Sequence, residues 1–131
     1  MYLIKDIIDI TFIKKNSLST SDYFQIEILD NENLLKFIDA RFYDSIKNPK
    51  TRNIDDALLM DFLDNLFRII SPWEEKYIQN NILDGTEWQL SIRFKDGHNR
   101  LYYGKDKYPN NFDSLEEIKN QMIENATGEN V

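Results

Sequence analysis

The stretch Glu87–Gly97, EWQLSIRFKDG, decides the fold. Trp88, Leu90, Ile92 and Phe94 alternate with Glu87, Gln89, Ser91 and Arg93. Period-two alternation is what a strand needs when one side meets a core and the other meets water. Asp96-Gly97 supplies the positive-φ pair of a tight hairpin turn. A two-residue turn there places Lys95 opposite His98, Phe94 opposite Asn99, Ile92 opposite Leu101 and Leu90 opposite Tyr103. In that register Leu90, Ile92, Leu101 and Tyr103 face the core, while Ser91, Arg93, Arg100 and Tyr102 face outward. Gly104 marks a bulge or the end of pairing.

Upstream, Ile8, Ile10 and Phe12 alternate with Asp9 and Thr11, and turn formers fill Asn16–Asp22. Phe24, Ile26 and Ile28 then alternate with Gln25, Glu27 and Leu29. A third strand is expected in Leu34–Tyr43, with Ile38, Ala40 and Phe42 inward. Ser45–Asn53, with Pro49 and basic residues, reads as an exposed loop. Asp55–Ile70 is an amphipathic helix with Leu59, Phe62, Leu63, Leu66, Ile69 and Ile70 on one arc and Asp61, Asp64, Asn65 and Arg68 on the other. Ser71-Pro72-Trp73-Glu74 has the form of an N-cap, a first-turn proline and a capping-box acid, predicting a second helix to about Gln79. Asp113-Ser114-Leu115-Glu116 predicts a last helix to about Glu124, with Leu115, Ile118 and Met122 buried. The expected architecture is α+β. It is an antiparallel sheet of about five strands, in the order β-β-β-α-α-β-β-α, with helices packed on one face. Residues 1–125 form one domain and 126–131 a flexible tail.

The chain has 131 residues, no cysteine and a net charge of −7. Disulfides and thiolate metal sites are therefore excluded. The N-terminal MYLIKDIIDITFIKK is broken by Lys5, Asp6 and Asp9, unlike a signal peptide, and no run approaches the roughly 20 apolar residues of a membrane span. A cytoplasmic location is expected, bacterial or in the host of a phage. The charge is spread evenly along the chain, with 8 basic and 12 acidic side chains in residues 1–65 and 8 and 11 in the remainder. Such acidity disfavours nucleic acid and anionic membranes and permits a basic protein partner, although solubility alone accounts for it.

No constellation of residues announces catalysis. His98, the single histidine, follows the predicted turn and has neither the pocket nor the partner a general base needs. Asp55-Asp56 suits a helix N-terminus, and no metal-ligand spacing or phosphate-binding glycine loop occurs. No cofactor, metal or catalytic residue is assigned. Arg93, Lys95, Arg100, Lys105 and Lys107, interleaved with Tyr102 and Tyr103, form a basic strip that fits either a nucleic-acid contact or a charged outer face that resists edge pairing. Trp88 reads as core, and Trp73 as core or as a contact residue.

The pattern Trp73…Tyr77, Leu83-Asp84-Gly85-Thr86-x-Trp88-x-Leu90-x-Ile92-x-Phe94-x-Asp96-Gly97, Tyr103-Gly104, Tyr108-Pro109-x-Asn111-Phe112 and Leu115 is similar to a C-terminal module of uncharacterised proteins from low-GC Gram-positive bacteria and their mobile elements. The resemblance spans roughly residues 70–120. Lys105-Asp106-Lys107 stands where those proteins often carry a short Ser-Asn segment. The family implies no activity, and it points to mobile elements and defence systems.

The function expected from these observations is a non-enzymatic acidic protein that binds and inhibits a protein partner. That partner is a toxin or a defence-system protein, met in the manner of toxin-immunity or phage anti-defence (anti-CRISPR) proteins. Homodimerisation is compatible with the sequence. Candidate contact residues are Asp61, Asp64 and Arg68 on the helix, Lys47, Lys50 and Arg52 in the loop, and Arg93, Arg100 and Tyr102 on the hairpin. Two alternatives stand beside it: an enzyme whose carboxylates converge only in three dimensions, and a nucleic-acid binder using the 93–107 hairpin.

Overall fold

A computed structural model describes residues 4–15, 20–38, 48–79 and 85–128. The fold is α+β. A short 3-10 turn at Ile4–Asp6 leads into β1 (Ile7–Lys15), β2 (Thr20–Ile28), β3 (Asn33–Phe37) and β4 (Lys50–Ile54). Helix α1 (Asp56–Ile70) follows, then β5 (Lys76–Ile78), β6 (Glu87–Phe94), β7 (Asn99–Lys105) and helix α2 (Phe112–Thr127). Among the described residues the sheet has seven strands in the order β4-β3-β2-β1-β6-β7-β5, rather than about five. It is mixed, because β5 runs parallel to β7 while every other pair is antiparallel.

One face of this sheet is the core. Ile10, Phe12, Phe24, Ile26, Leu35, Phe37, Trp88, Leu90 and Ile92 are buried there beneath both helices. Phe62 of α1 meets Phe24, and Phe112 of α2 meets Phe12, with ring centroids 5.5 and 6.0 Å apart. Each such side chain removed from water contributes roughly 1.5–3 kcal/mol, so the apolar alternation drives both the sheet and its helical cover.

Several sequence expectations are corrected. In β1 a bulge between Ile7 and Asp9 shifts the register. Ile7 is therefore buried and Ile8 exposed, the reverse of the simple alternation. β2 opens at Thr20, inside the stretch read as turn. β3 turns Leu35 and Phe37 inward, opposite in parity to the expected Ile38, Ala40 and Phe42, the last two of which lie outside the described residues. The 50–53 part of the expected loop is edge strand, paired to β3 from Lys50 to Ile54.

No helix restarts at Ser71. Trp73 N–H donates to Ile70 O at 2.9 Å, closing a turn, and the chain then pairs with the free edge of β7. Trp73 and Tyr77 are spaced equally well for a helix face or for this turn and strand, and the unpaired backbone of β7 settles the matter. The hairpin also differs. Its loop has three residues, Lys95-Asp96-Gly97, with Phe94 N–H donating to His98 O at 2.9 Å and Gly97 at φ 90°. That is the turn-plus-αL-glycine form, which moves the register by one residue. Leu90 faces Tyr102 and Ser91 faces Leu101, so Leu101 and Tyr103 point outward while Arg100 and Tyr102 turn to the helical side.

α2 starts at Phe112 after Asn111, not at Ser114, and continues past Glu124 to Thr127, where Gly128 at φ 73° caps it. Gly104 remains paired, opposite Trp88.

Candidate functional site

The fold sorts charge that the sequence scatters. The helical layer, counting the Asp55 cap, holds Asp55, Asp56, Asp61, Asp64, Asp113, Glu116, Glu117 and Glu124 against only Arg68 and Lys119. The far face of the sheet has the opposite balance. Strand parity and register place Lys15, Lys36, Lys76, Arg93 and Lys105 there against Asp9, Glu27 and Glu87.

On α1 the positions Asp56, Met60 and Asp64 succeed one another four residues apart, with Asp61 beside them. Met60 is 46% exposed in the middle of this acidic stripe. Asp61, Asp64 and Arg68, expected as contact residues, lie together on it and are exposed.

Met60 also forms one wall of a groove of about 610 Å³, where α1 meets the β2–β3 turn. Ile4, Ile28 and Leu29 supply its other apolar walls, and Asp30, Glu32 and Asp56 stand on its rim with one cation, Lys5. Leu29, 45% exposed, continues the apolar surface of Met60. The groove is held by bonds within the turn and between the turn and the helix. Leu29 N–H donates to Glu32 O at 2.9 Å, which closes the turn. The buried Asn33 donates through Nδ2 to Asp56 Oδ1 at 2.8 Å and to Ile54 O at 3.3 Å, locking the turn to the start of α1. Asp55 Oδ1 accepts from Leu58 N–H at 2.8 Å, the N-cap that fixes the helix entry. Sequence reading missed Leu29 and Met60 as site residues. The four-residue spacing of Met60 from two aspartates was the available signal.

On the far sheet face Arg93 grips the Asp9 carboxylate with two nitrogens, at 2.9 and 2.5 Å. Gln25 Nε2 donates to Asp9 Oδ2 at 3.3 Å, and Tyr23 donates to Gln25 Oε1 at 2.7 Å. Lys36 pairs with Glu27. The hydrogen bond to Asp9 raises the Arg93 pKa, the one to Glu27 raises that of Lys36, and burial raises that of the Tyr23 phenol. These groups tie β1, β2, β3 and β6 together across the face.

The remaining expected contact residues are dispersed. Lys50 and Arg52 lie on the edge strand β4, and Lys47 lies outside the described residues. Arg100 sits over the Phe67 ring at 5.8 Å, and Tyr102 meets Trp73 edge-on at 5.8 Å, so neither shares the outward surface of Arg93. The basic strip is thereby divided between two faces. Trp73 belongs to the core, packed against Trp88 and Phe112. His98 is exposed at the hairpin.

One charged cluster is internal. Lys119, 3% exposed, pairs with Asp22 and lies 3.2 Å from Glu116, whose other oxygen is 3.7 Å from Lys14. Its ammonium also stands 5.1 Å from the centre of the Phe12 ring. Opposed charges meet inside this cluster, and their geometry is that of a clasp between α2 and the β1–β2 hairpin. Among the described residues no group of three or more histidine or acidic side chains is placed to hold a metal ion. No helix among them is long and apolar enough to cross a membrane.

Comparison with protein-family models, with curated proteins and with solved structures returns no match.

Proposed function

We propose that this chain is a non-enzymatic protein-binding module that inhibits its partner through the acidic helical layer, as toxin-immunity and phage anti-defence proteins do. The observation that carries this reading is the exposed Met60 within the Asp56–Asp61–Asp64 stripe, continuous with the Leu29 groove. An apolar anchor whose charged neighbours are mostly acidic suits a basic partner. The anchor supplies desolvation energy, and the acidic surround steers encounter and rejects acidic competitors.

Affinity capture from the native host tests it. The wild-type chain is expected to retain a basic protein whose activity it suppresses. The Met60→Lys variant, and separately the Asp61→Lys with Asp64→Lys variant, should weaken that capture by roughly tenfold or more while keeping the fold. Equal capture by wild type and both variants, or no suppression of the captured protein's activity, removes the reading.

A further inference from the structure

The far face of the sheet presents a second surface, separate from the helical layer. All of its described side chains are exposed or half-buried except Asp9. Towards the β5 edge, two neighbouring rows cross it. One row runs Lys15, Glu87, Lys105, Ile78, and the next Ile13, Gln89, Tyr103, Lys76. Between them lies a hollow of about 280 Å³ walled by Ile13, Ile78 and Tyr103. Tyr103, Ile78 and the nearby Leu101 are among the large hydrophobic side chains this chain leaves exposed.

We infer that this hollow docks an acidic peptide segment bearing one bulky apolar side chain. Three features of the face select that occupant. The hollow lies at the lower edge of the roughly 300–1,000 Å³ range for small-molecule sites, so it takes a side chain rather than a cofactor. Its apolar walls are two isoleucines and a tyrosine, set beside the polar Gln89, a lining that offers an aliphatic or aromatic group a place to pack. Its surround is cationic, with Lys15, Lys76 and Lys105 against Glu87, and Glu87 is bracketed by two of those lysines in its own row.

Single-stranded nucleic acid fits this face less well. A polynucleotide needs a succession of stacking platforms, and among the described residues of this face Tyr103, 37% exposed, is the one aromatic that is exposed rather than half-buried. It also brings a charge on every nucleotide against a chain whose net charge is −7. A short acidic segment needs only a few cations and gains its remaining affinity from the anchor. The surface is independent of the helical layer, so either can fail without the other.

Fluorescence polarisation with defined probes tests it. The probes are a short labelled peptide of Asp, Glu and Ser with one central Phe, the same peptide with Ala in its place, and labelled oligothymidylate. The Phe peptide is expected to bind the full chain at low salt. Tyr103→Ala should weaken binding roughly tenfold, as should Lys15→Glu combined with Lys105→Glu. Asn120→Ala, exposed on α2, should leave it unchanged. Because Tyr103, Lys15 and Asn120 are exposed and Lys105 is half-buried, circular dichroism should show all the variants folded. Equal binding of the Ala peptide would reduce the face to non-specific charge and overturn the proposal. Tighter binding of oligothymidylate would reassign it to nucleic acid, and absence of binding to every probe would remove it.

Discussion

Two residues show how tightly the aromatic corner is built. A Cβ on Gly104 would stand 2.6 Å from the Lys107 carbonyl oxygen and closer still to the Trp88 indole, whose Nε1 donates to that same oxygen at 2.9 Å. Gly104→Ala must therefore displace backbone or Trp88, and it should cost about 3 kcal/mol in urea denaturation. Asn111 occupies the N-cap position of α2 without capping it. Its Oδ1 instead accepts from Trp73 Nε1 at 2.5 Å, and its Nδ2 donates to Ile69 O at 2.7 Å. Asn111→Ala leaves both partners unsatisfied and should lower stability by about 2 kcal/mol, whereas Asn110→Ala, at an exposed neighbour, should change it little. The Tyr-Pro-x-Asn-Phe corner was legible as structure from the sequence. That Asn111 ties the end of α1 to the start of α2 was not, because Ile69 is 42 residues away along the chain.

Among elements, the docking of α2 rests on the Lys119 cluster as well as on Phe112, Leu115 and Met122. Of the expected buried row, Leu115 and Met122 are buried and Ile118 is half-buried, but Lys119 reads as a surface residue in any amphipathic pattern. It is buried because Asp22 reaches it from the β1–β2 hairpin. Lys119→Ala leaves Asp22 and Glu116 facing one another and should cost about 3–5 kcal/mol, measured by thermal or chemical unfolding. Lys119→Met with Asp22→Asn removes both members of the pair and should recover part of that loss. The hairpin teaches the same lesson about register. Asp96-Gly97 announced the turn, yet one extra loop residue exchanged the faces of Arg100 and Tyr102 with those of Leu101 and Tyr103. Since β7 alternates aromatic, aliphatic and basic residues on both sides, its sequence did not oppose either register.

For the whole molecule, the bonded network across the far sheet face predicts how stability depends on pH. Tyr23 and Lys36 both have folded-state pKa values raised above their ordinary ones, Tyr23 by burial and Lys36 by its hydrogen bond to Glu27. For each, the protonated form is favoured in the fold. Their contribution is complete below the ordinary tyrosine and lysine values and is lost as pH rises through the raised ones. Stability should therefore fall in the alkaline range, and Tyr23→Phe should flatten part of that fall, as measured by denaturant midpoints with tyrosine absorbance followed alongside. Constant stability through that range, or a slope unaffected by Tyr23→Phe, would show that the network does not couple to folding.

By itself the sequence determined the α+β class, the long amphipathic helix, the hairpin and most of the apolar side chains that make the core. Each of these follows from periodicity or turn chemistry within a few neighbouring residues. Only the tertiary structure decided the number of strands, because β4 and β5 are polar or short and become strands by completing the edges of β3 and β7. It also decided the segregation of charge. Acidic and basic residues alternate too finely along the chain to show a pattern. Helix spacing and strand parity then carry most of the helix and strand acids to one side of the molecule and most of the exposed strand lysines to the other. The candidate surfaces are products of that sorting, a property of which elements become neighbours in space rather than of which residues are neighbours in sequence.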